Sequence, residues 1–188
     1  GVQTCALPIS EGSGGKRLEL LSDDSEFLFF NKALSEGTGD KETEEMRQNM
    51  GIPFSFYNCA VVSIVMEGAG EHEEQWFDLD MEQYFRKFRN RLYEALKKFR
   101  GTAEFTGEIV YLGMGTFCCF LDLSEECKSS VMRQRLIQTA TSCFRICRNE
   151  PYSFRLGASD VCMGAKSLRQ AYQQSREALK AGFYEEKQ

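Results

Sequence analysis

The chain has 188 residues, of which 42% are hydrophobic and 27% are charged, a composition typical of a globular domain that buries a substantial core. Its formal net charge of −5 argues against a nucleic-acid-binding surface, because neutralising phosphates requires clustered lysine and arginine side chains. The longest apolar run, from Cys59 to Met66, is far too short to span a bilayer, so we expect no membrane contact.

The N-terminal third of the sequence differs in character from the rest. Residues 1–10, from Gly1 to Ser10, resemble the translation of a common sequencing-library adapter read in one frame. We therefore expect this stretch to be an artefact and the chain to be a fragment whose true beginning lies upstream. Residues 11–53 are predicted to form a linker and two connector helices, the second of which ends at Gly51.

The remainder of the chain shows hydrophobic periodicities of strands and helices that alternate along the sequence. This order, β-α-β-β-α-β-α, is that of the split β-α-β arrangement. The predicted fold is therefore α+β, with a ferredoxin-like or nucleotide-cyclase-like sheet of four or five mainly antiparallel strands, helices packed on it, and two connector helices before it. The predicted elements are a strand over 57–67, a helix over 79–99, strands over 108–112 and 117–123, a helix from a Ser124 cap to about Cys147, a strand over 152–156 closed by Gly157 and Ser159, and a final helix that ends at Gly182.

The eight cysteines are predicted to be buried free thiols in a reducing cytoplasm. Three of them lie in apolar strands, no CxxC pair exists, and the single histidine, His72, lies in an acidic loop, so a metal site is disfavoured. Two cysteines belong to a set of residues that we expect to face inward on the helix after Ser124: Cys127, Val131, Leu136, Ala140, Cys143, Phe144 and Cys147.

Two charged patterns have a simple interpretation and a functional alternative. The basic residues of the 79–99 helix and its end lie opposite the apolar stripe, which is typical of a solvated face, and the alternative is a docking surface for an acidic partner. The acidic loop around His72 is interpreted as solvated, and the alternative is a cation site. The basic residues are Arg86, Lys87, Arg89, Arg91, Lys97, Lys98 and Arg100.

The C-terminal forty residues carry a family resemblance. The strand end Gly157-Ala158-Ser159-Asp160 precedes a helix with small and apolar residues at helical spacing: Leu168, Ala171, Tyr172, Ser175, Ala178 and Leu179. This pattern resembles the end of the degenerate GGDEF-like domain of AraC-type bacterial transcription regulators, where a G-[IV]-S strand end precedes L-x-x-[AS]-Y-x-x-A-x-x-A-L. The resemblance is collinear back to about Phe54. It assigns residues 54–184 to such a domain and residues 185–188 to a linker towards an absent DNA-binding module.

The resemblance also implies where a nucleotide loop would lie. In active cyclases of that family the turn between the two middle strands reads Gly-Gly-Asp-Glu-Phe, whose glycines admit a triphosphate and whose acids hold Mg²⁺. The matching stretch here is Gly113-Met114-Gly115-Thr116-Phe117, in which Gly115 and Thr116 replace the acidic pair. Glu67 would be a remnant of the metal-site acid at the end of the first strand. One carboxylate cannot support a two-metal arrangement, so the resemblance implies no catalytic residue, no metal and no cofactor.

By resemblance, the chain would be a non-catalytic, cytoplasmic signal-relay or dimerisation domain of an AraC-type regulator. Its expected partners are a second copy of itself, an upstream sensor or receiver domain, and DNA only through the absent C-terminal helix-turn-helix. Two alternatives stay open. One is a nucleotide-binding pseudo-cyclase or divergent diguanylate cyclase, and the other is the GGDEF-like domain of a PucR- or CdaR-type activator.

Overall fold

The computed structural model describes residues 24–36, 41–68, 79–97, 106–123 and 128–185. The adapter-like segment, the acidic loop with His72, Cys127 and the Ser124 position lie outside these ranges. The described elements, in chain order, are helices α1 (Asp24–Glu36) and α2 (Lys41–Asn49), strand β1 (Asn58–Met66), helix α3 (Leu79–Lys97), strands β2 (Gly107–Gly113) and β3 (Thr116–Asp122), helix α4 (Ser129–Arg148), strands β4 (Phe154–Ala158) and β5 (Cys162–Met163), and helix α5 (Ser167–Glu185).

The strands form one sheet in the order β2-β3-β1-β4, and every neighbouring pair is antiparallel. The short strand β5 pairs with the beginning of β1, on the same side as β4. This is the strand order of the split β-α-β arrangement, so the predicted α+β fold class is confirmed.

The sheet is covered by helices on both faces, which explains the nearly continuous apolar run of β1. Successive side chains of a strand point to opposite faces. Ala60, Val62 and Ile64 accordingly join α3 and α4 in one buried cluster, whereas Cys59 and Val61 join α1 and α5 in another. A central strand whose two faces are both buried needs apolar residues at its odd and its even positions.

Helix α1 packs into the second of these clusters through aromatic side chains. Phe30 lies parallel to Phe120 of β3, with ring centroids 4.5 Å apart, and meets Phe56 edge to face at 5.6 Å. Phe29 and Phe30 are fully buried. Burying one such side chain contributes about 1.5–3 kcal/mol, so α1 stabilises the sheet face that it covers.

The outer edge of β2 is shielded by α3. The backbone N–H of Ile109 donates to the Tyr93 hydroxyl at 3.1 Å, and its carbonyl accepts from Arg89 Nε at 2.6 Å. Because a bare strand edge is a template for pairing with another chain, these two side chains block strand addition at the centre of β2.

The set of residues that face inward on helix α4 differs from the predicted set. The buried stripe of α4 contains Met132, Leu136, Cys143 and Cys147, whose spacings of four, seven and four residues place them on one face of the helix. Val131 and Phe144 were predicted to face inward, but 36% and 51% of their surfaces are exposed. Phe144 follows the buried Cys143 and is therefore rotated by about 100° away from the sheet. The helix begins at Ser129 after Lys128, so Ser124 is not its N-cap.

The C-terminal part differs from the prediction at three boundaries. Strand β4 begins at Phe154, and Tyr152 lies before it with 42% of its surface exposed. The two-residue strand β5 was not predicted, because two residues are too few to show a periodicity. Helix α5 continues past Gly182, since one glycine costs only about 1 kcal/mol relative to alanine and does not by itself end a helix.

The six cysteines in the described ranges are all buried with free thiols, as predicted for that set. None of the described helices combines the length and the apolar composition needed to cross a bilayer.

Candidate functional site

The β2–β3 hairpin is closed by a two-residue turn at the predicted nucleotide-loop position. Gly113 pairs with Thr116, which leaves Met114 and Gly115 as the turn residues. Their φ angles are 47° and 67°, both in the left-handed region, as a type I′ turn requires. Glycine adopts such angles without steric cost, so the turn alone accounts for Gly115.

The backbone of Gly115 is held by two hydrogen bonds within the domain. Its N–H donates to the Tyr111 hydroxyl at 3.2 Å, and its carbonyl accepts from the Met66 N–H at 3.0 Å. The Tyr111 ring packs against Phe85 and Phe117, with centroids 5.1 and 4.9 Å apart, and burial raises the pKa of Tyr111. A phosphate cradle needs backbone N–H groups that point freely at the ligand, and that of Gly115 is already bound.

Glu67 follows β1 and lies beside the β4 edge. Its N–H donates to the Ser153 carbonyl at 2.9 Å, and its Oε1 lies 3.5 Å from Nε of Arg155. The structure therefore brings the end of β1 next to the hairpin, as the resemblance implies, but it places a guanidinium beside the Glu67 carboxylate. A cation that binds Glu67 would have to compete with Arg155.

Within the described ranges, no group of three or more His, Cys, Asp or Glu side chains is placed to hold a metal ion. The acidic stretch around His72, for which a cation site was the alternative interpretation, lies outside those ranges.

The buried cysteines are not arranged as nucleophiles. Cys119 Sγ lies 3.8 Å from Cys143 Sγ across the interface between β3 and α4. Burial raises the pKa of Cys118 and that of Cys147 to about 12, so both are neutral thiols at physiological pH. Because the thiolate is the reactive form, these residues act as small apolar core side chains.

The residues that carry the family resemblance join α5 to the sheet and the end of β4 to β1. A Cβ on Gly157 would lie 2.2 Å from the Ser175 carbonyl oxygen, so only glycine lets β4 approach α5 this closely. The Ser175 hydroxyl meets the Ser63 hydroxyl at 2.7 Å, and Ser159 Oγ accepts from the Val61 N–H at 2.9 Å. The residues that carry the resemblance therefore have a packing role.

Three arginines of α3 make contacts within the domain, whereas Lys98 and Arg100 of the predicted basic face lie outside the described ranges. Arg86 pairs with Glu82 at 2.9 Å, and Arg91 pairs with Glu150 at 2.6 Å. Arg89 binds the edge of β2, as described above. These three guanidinium groups are therefore occupied, which disfavours the α3 face as a docking surface.

An exposed apolar pair on α4 was missed by sequence reasoning. Ile137 and Phe144, with 64% and 51% of their surfaces exposed, lie two turns apart on the outward face of the helix. The signal was available, because residues seven apart share a helix face and neither belongs to the stripe of Leu136 and Cys143.

No protein-family model matches the chain, and no curated protein matches it. Among solved structures, the chain is similar to an N-terminally truncated form of TpbB (also called YfiN) from Pseudomonas aeruginosa that comprises only the GGDEF domain. The two share 13% identity with a TM-score of 0.46, and the similarity covers 84% of this chain and 83% of that one.

Proposed function

We propose that this chain is a non-catalytic, GGDEF-like regulatory domain of a bacterial AraC-type transcription regulator. Its task in the cytoplasm would be to relay a signal or to help two copies of the regulator associate. DNA contact would belong to a helix-turn-helix module of the same regulator, since the net charge of −5 is unsuited to binding phosphates.

The chemistry of the β2–β3 hairpin supports the non-catalytic part of the proposal. Gly115 and Thr116 stand where an active cyclase would carry its acidic pair, and neither side chain can hold a divalent ion tightly. The Gly115 N–H is bound to Tyr111, and the nearby carboxylate of Glu67 lies beside Arg155. Carboxylates at close quarters are what a Mg²⁺-assisted phosphoryl transfer requires, and this hairpin lacks them.

The AraC-type assignment in the proposal is supported by the residues around Gly157 and by the order of the elements, whereas the non-catalytic role is supported by the hairpin alone. Both resemble the pattern of the AraC-type domain, from which the chain departs at Ala158, where the pattern has Ile or Val, and at Ser175, where it has Ala. The contiguous genomic reading frame provides a direct test. A helix-turn-helix region encoded downstream of Gln188 is the expected result, whereas a different type of DNA-binding module would favour the PucR- or CdaR-type alternative.

The catalytic question is tested by titrating the purified protein with Mg²⁺-GTP, while chromatography follows the formation of cyclic dinucleotide. We expect neither saturable heat nor product, under conditions in which an active diguanylate cyclase gives both. Product formation would refute the proposal. Saturable binding without product would instead establish a nucleotide-binding pseudo-cyclase.

A further inference from the structure

The outward side of α4 carries one line of large side chains that is not used by the core. Arg133, Ile137, Thr141, Phe144 and Arg148 follow one another at intervals of four, four, three and four residues, so they share one helix face. We call this surface the α4 face. Its two apolar members are more than half exposed, and an arginine brackets them at each end.

The charge of the α4 face is positive and is not neutralised within the described part of the chain. Helix α4 contains four arginines and no acidic residue, although the chain as a whole has a net charge of −5. The arginines of α3 have acidic or carbonyl partners, whereas no ion pair within the described ranges involves Arg133 or Arg148. The Arg148 guanidinium instead lies 5.8 Å from the centre of the Phe144 ring.

We propose that the α4 face binds an acidic amphipathic segment of a partner protein. Ile137 and Phe144 are seven residues apart, about 10.5 Å along the axis at 1.5 Å per residue. Arg133 and Arg148 are fifteen residues apart, or about 22 Å. A helical partner segment of about four turns, with apolar side chains two turns apart and an acidic residue towards each end, matches this pattern in both spacing and charge.

The surface around Ile137 can contact one apolar side chain of the partner segment. An open, shallow surface adjoins Ile137 and Arg133 on the N-terminal half of α4. Gln134 and Gln138 also line it, so polar groups surround the apolar contact. Apolar anchors within a polar rim are the usual arrangement at protein–protein interfaces.

Electrostatics favours a short acidic peptide on the α4 face over a second copy of the chain, a bilayer or a nucleic acid duplex. Two copies of the α4 face would bring four arginines together, which opposes association through this surface. A bilayer or a nucleic acid duplex is an extended anionic surface that would also meet the negative remainder of the protein. A short segment experiences mainly the local field, because charges are screened beyond about 8–10 Å at physiological ionic strength.

The test measures binding of a fluorescein-labelled peptide of about sixteen residues, built from glutamate, alanine and two leucines seven positions apart. That length spans the α4 face at about 1.5 Å per residue. The control peptide carries lysine at every glutamate position. We expect fluorescence anisotropy to show saturable binding of the acidic peptide, weakened by added salt, and no binding of the lysine peptide.

Variants locate the interaction on the protein. Ile137→Ser/Phe144→Ser and, separately, Arg133→Glu/Arg148→Glu should each weaken binding at least about tenfold, as loss of interface anchors does. The matched controls are Met163→Ser, an exposed apolar residue on β5, and Lys87→Glu, an exposed basic residue on α3. Both controls should bind within about twofold of the unmodified protein, because surface changes outside an interface cost little. All the substituted side chains are exposed, and circular dichroism confirms that each variant is folded.

Three results would overturn the inference. Equal affinity for the lysine peptide would show that charge does not select the partner. Unchanged affinity in both α4 variants would place any binding elsewhere. Binding to phosphatidylserine vesicles, or self-association, that is lost in Ile137→Ser/Phe144→Ser while the acidic peptide fails to bind would assign the face to a membrane or to a second copy. The inference does not depend on the proposed regulator, since it rests on α4 alone.

Discussion

Replacing Gly157 by alanine tests the contact between β4 and α5. The new Cβ would lie 2.2 Å from the Ser175 carbonyl oxygen and 2.7 Å from the Leu179 backbone nitrogen. Both neighbours are backbone atoms of a helix, so no rotamer change can relieve the overlap. The strand and the helix would have to move apart, which would loosen the buried Ser63–Ser175 hydroxyl contact as well.

The expected loss of stability follows from two opposing effects. Overpacking a well-packed core costs about 1–3 kcal/mol, and a clash with backbone belongs at the upper end of that range. Alanine also restricts the unfolded chain, which returns about 0.4–1 kcal/mol. The net loss should therefore be about 2 kcal/mol. With a urea m-value of about 2 kcal/mol/M, the unfolding midpoint should fall by about 1 M.

The assay is equilibrium urea unfolding of Gly157→Ala, with the exposed Met163→Ala as the control that should leave the midpoint nearly unchanged and Gly51→Ala as a measure of backbone strain without a clash. Open space surrounds the position of a Cβ on Gly51, and only its φ of 67° resists a side chain, at a cost of roughly 1–2 kcal/mol. We expect a destabilised Gly157→Ala protein in which Ser175→Ala adds less than its separate effect, because the contact is already disturbed. If the midpoint of Gly157→Ala equals that of the unmodified protein, α5 does not pack on β4 as described.

Two further predictions concern titratable groups. Hydrogen bonds from Arg47 lower the pKa of Glu44 from 4.5 to about 2, so its contribution to stability is complete above the unfolded pKa and is lost as the pH falls through about 2. Carboxyl chemical shifts measured by NMR should show this value, and Arg47→Ala should return it towards 4.5. The same substitution should lower stability by about 1–3 kcal/mol, because the Arg47 side chain is only 17% exposed and also donates to the Ile52 carbonyl at 2.6 Å. Burial raises the pKa of Cys118 to about 12. Iodoacetamide at mildly alkaline pH should therefore leave Cys118 unlabelled in the folded protein and label it in urea. Labelling of Cys118 in the folded protein at the rate of a free thiol would contradict its burial.

The sequence predicted the elements whose pattern is local. The apolar run from Cys59 to Met66 predicted β1. The glycines of the hairpin predicted a turn, and the φ angles of its two central residues lie in the left-handed region. The sequence did not predict the rotation of α4. That helix has more apolar residues than one stripe can bury, and periodicity alone cannot decide which of them face the sheet. The contacts with α3 and β1 make that choice, and they leave Ile137 and Phe144 outside.

The proximity of Glu67 to Arg155 could not be predicted from the sequence, for a different reason. The position of Glu67 beside the hairpin follows from the end of β1, which a sequence pattern can locate. Its proximity to Arg155 depends on the register in which Val65 lies opposite that arginine. Register between strands far apart in the chain is set by the whole sheet and is not visible in either segment alone.

The residues that carry the family resemblance determine what that resemblance can mean. Gly157 and Ser175 serve the contact between α5 and the sheet, through close approach and a hydrogen bond, and Ser159 joins the end of β4 to β1. An active cyclase and an inactive relay built on this fold need that contact equally, so these residues do not distinguish between the two functions. The distinction depends on Gly115 and Thr116, where chemistry and packing make different demands. A hairpin that only has to turn needs a residue that tolerates positive φ, whereas a hairpin that binds Mg²⁺ also needs carboxylates, and this chain meets only the first requirement.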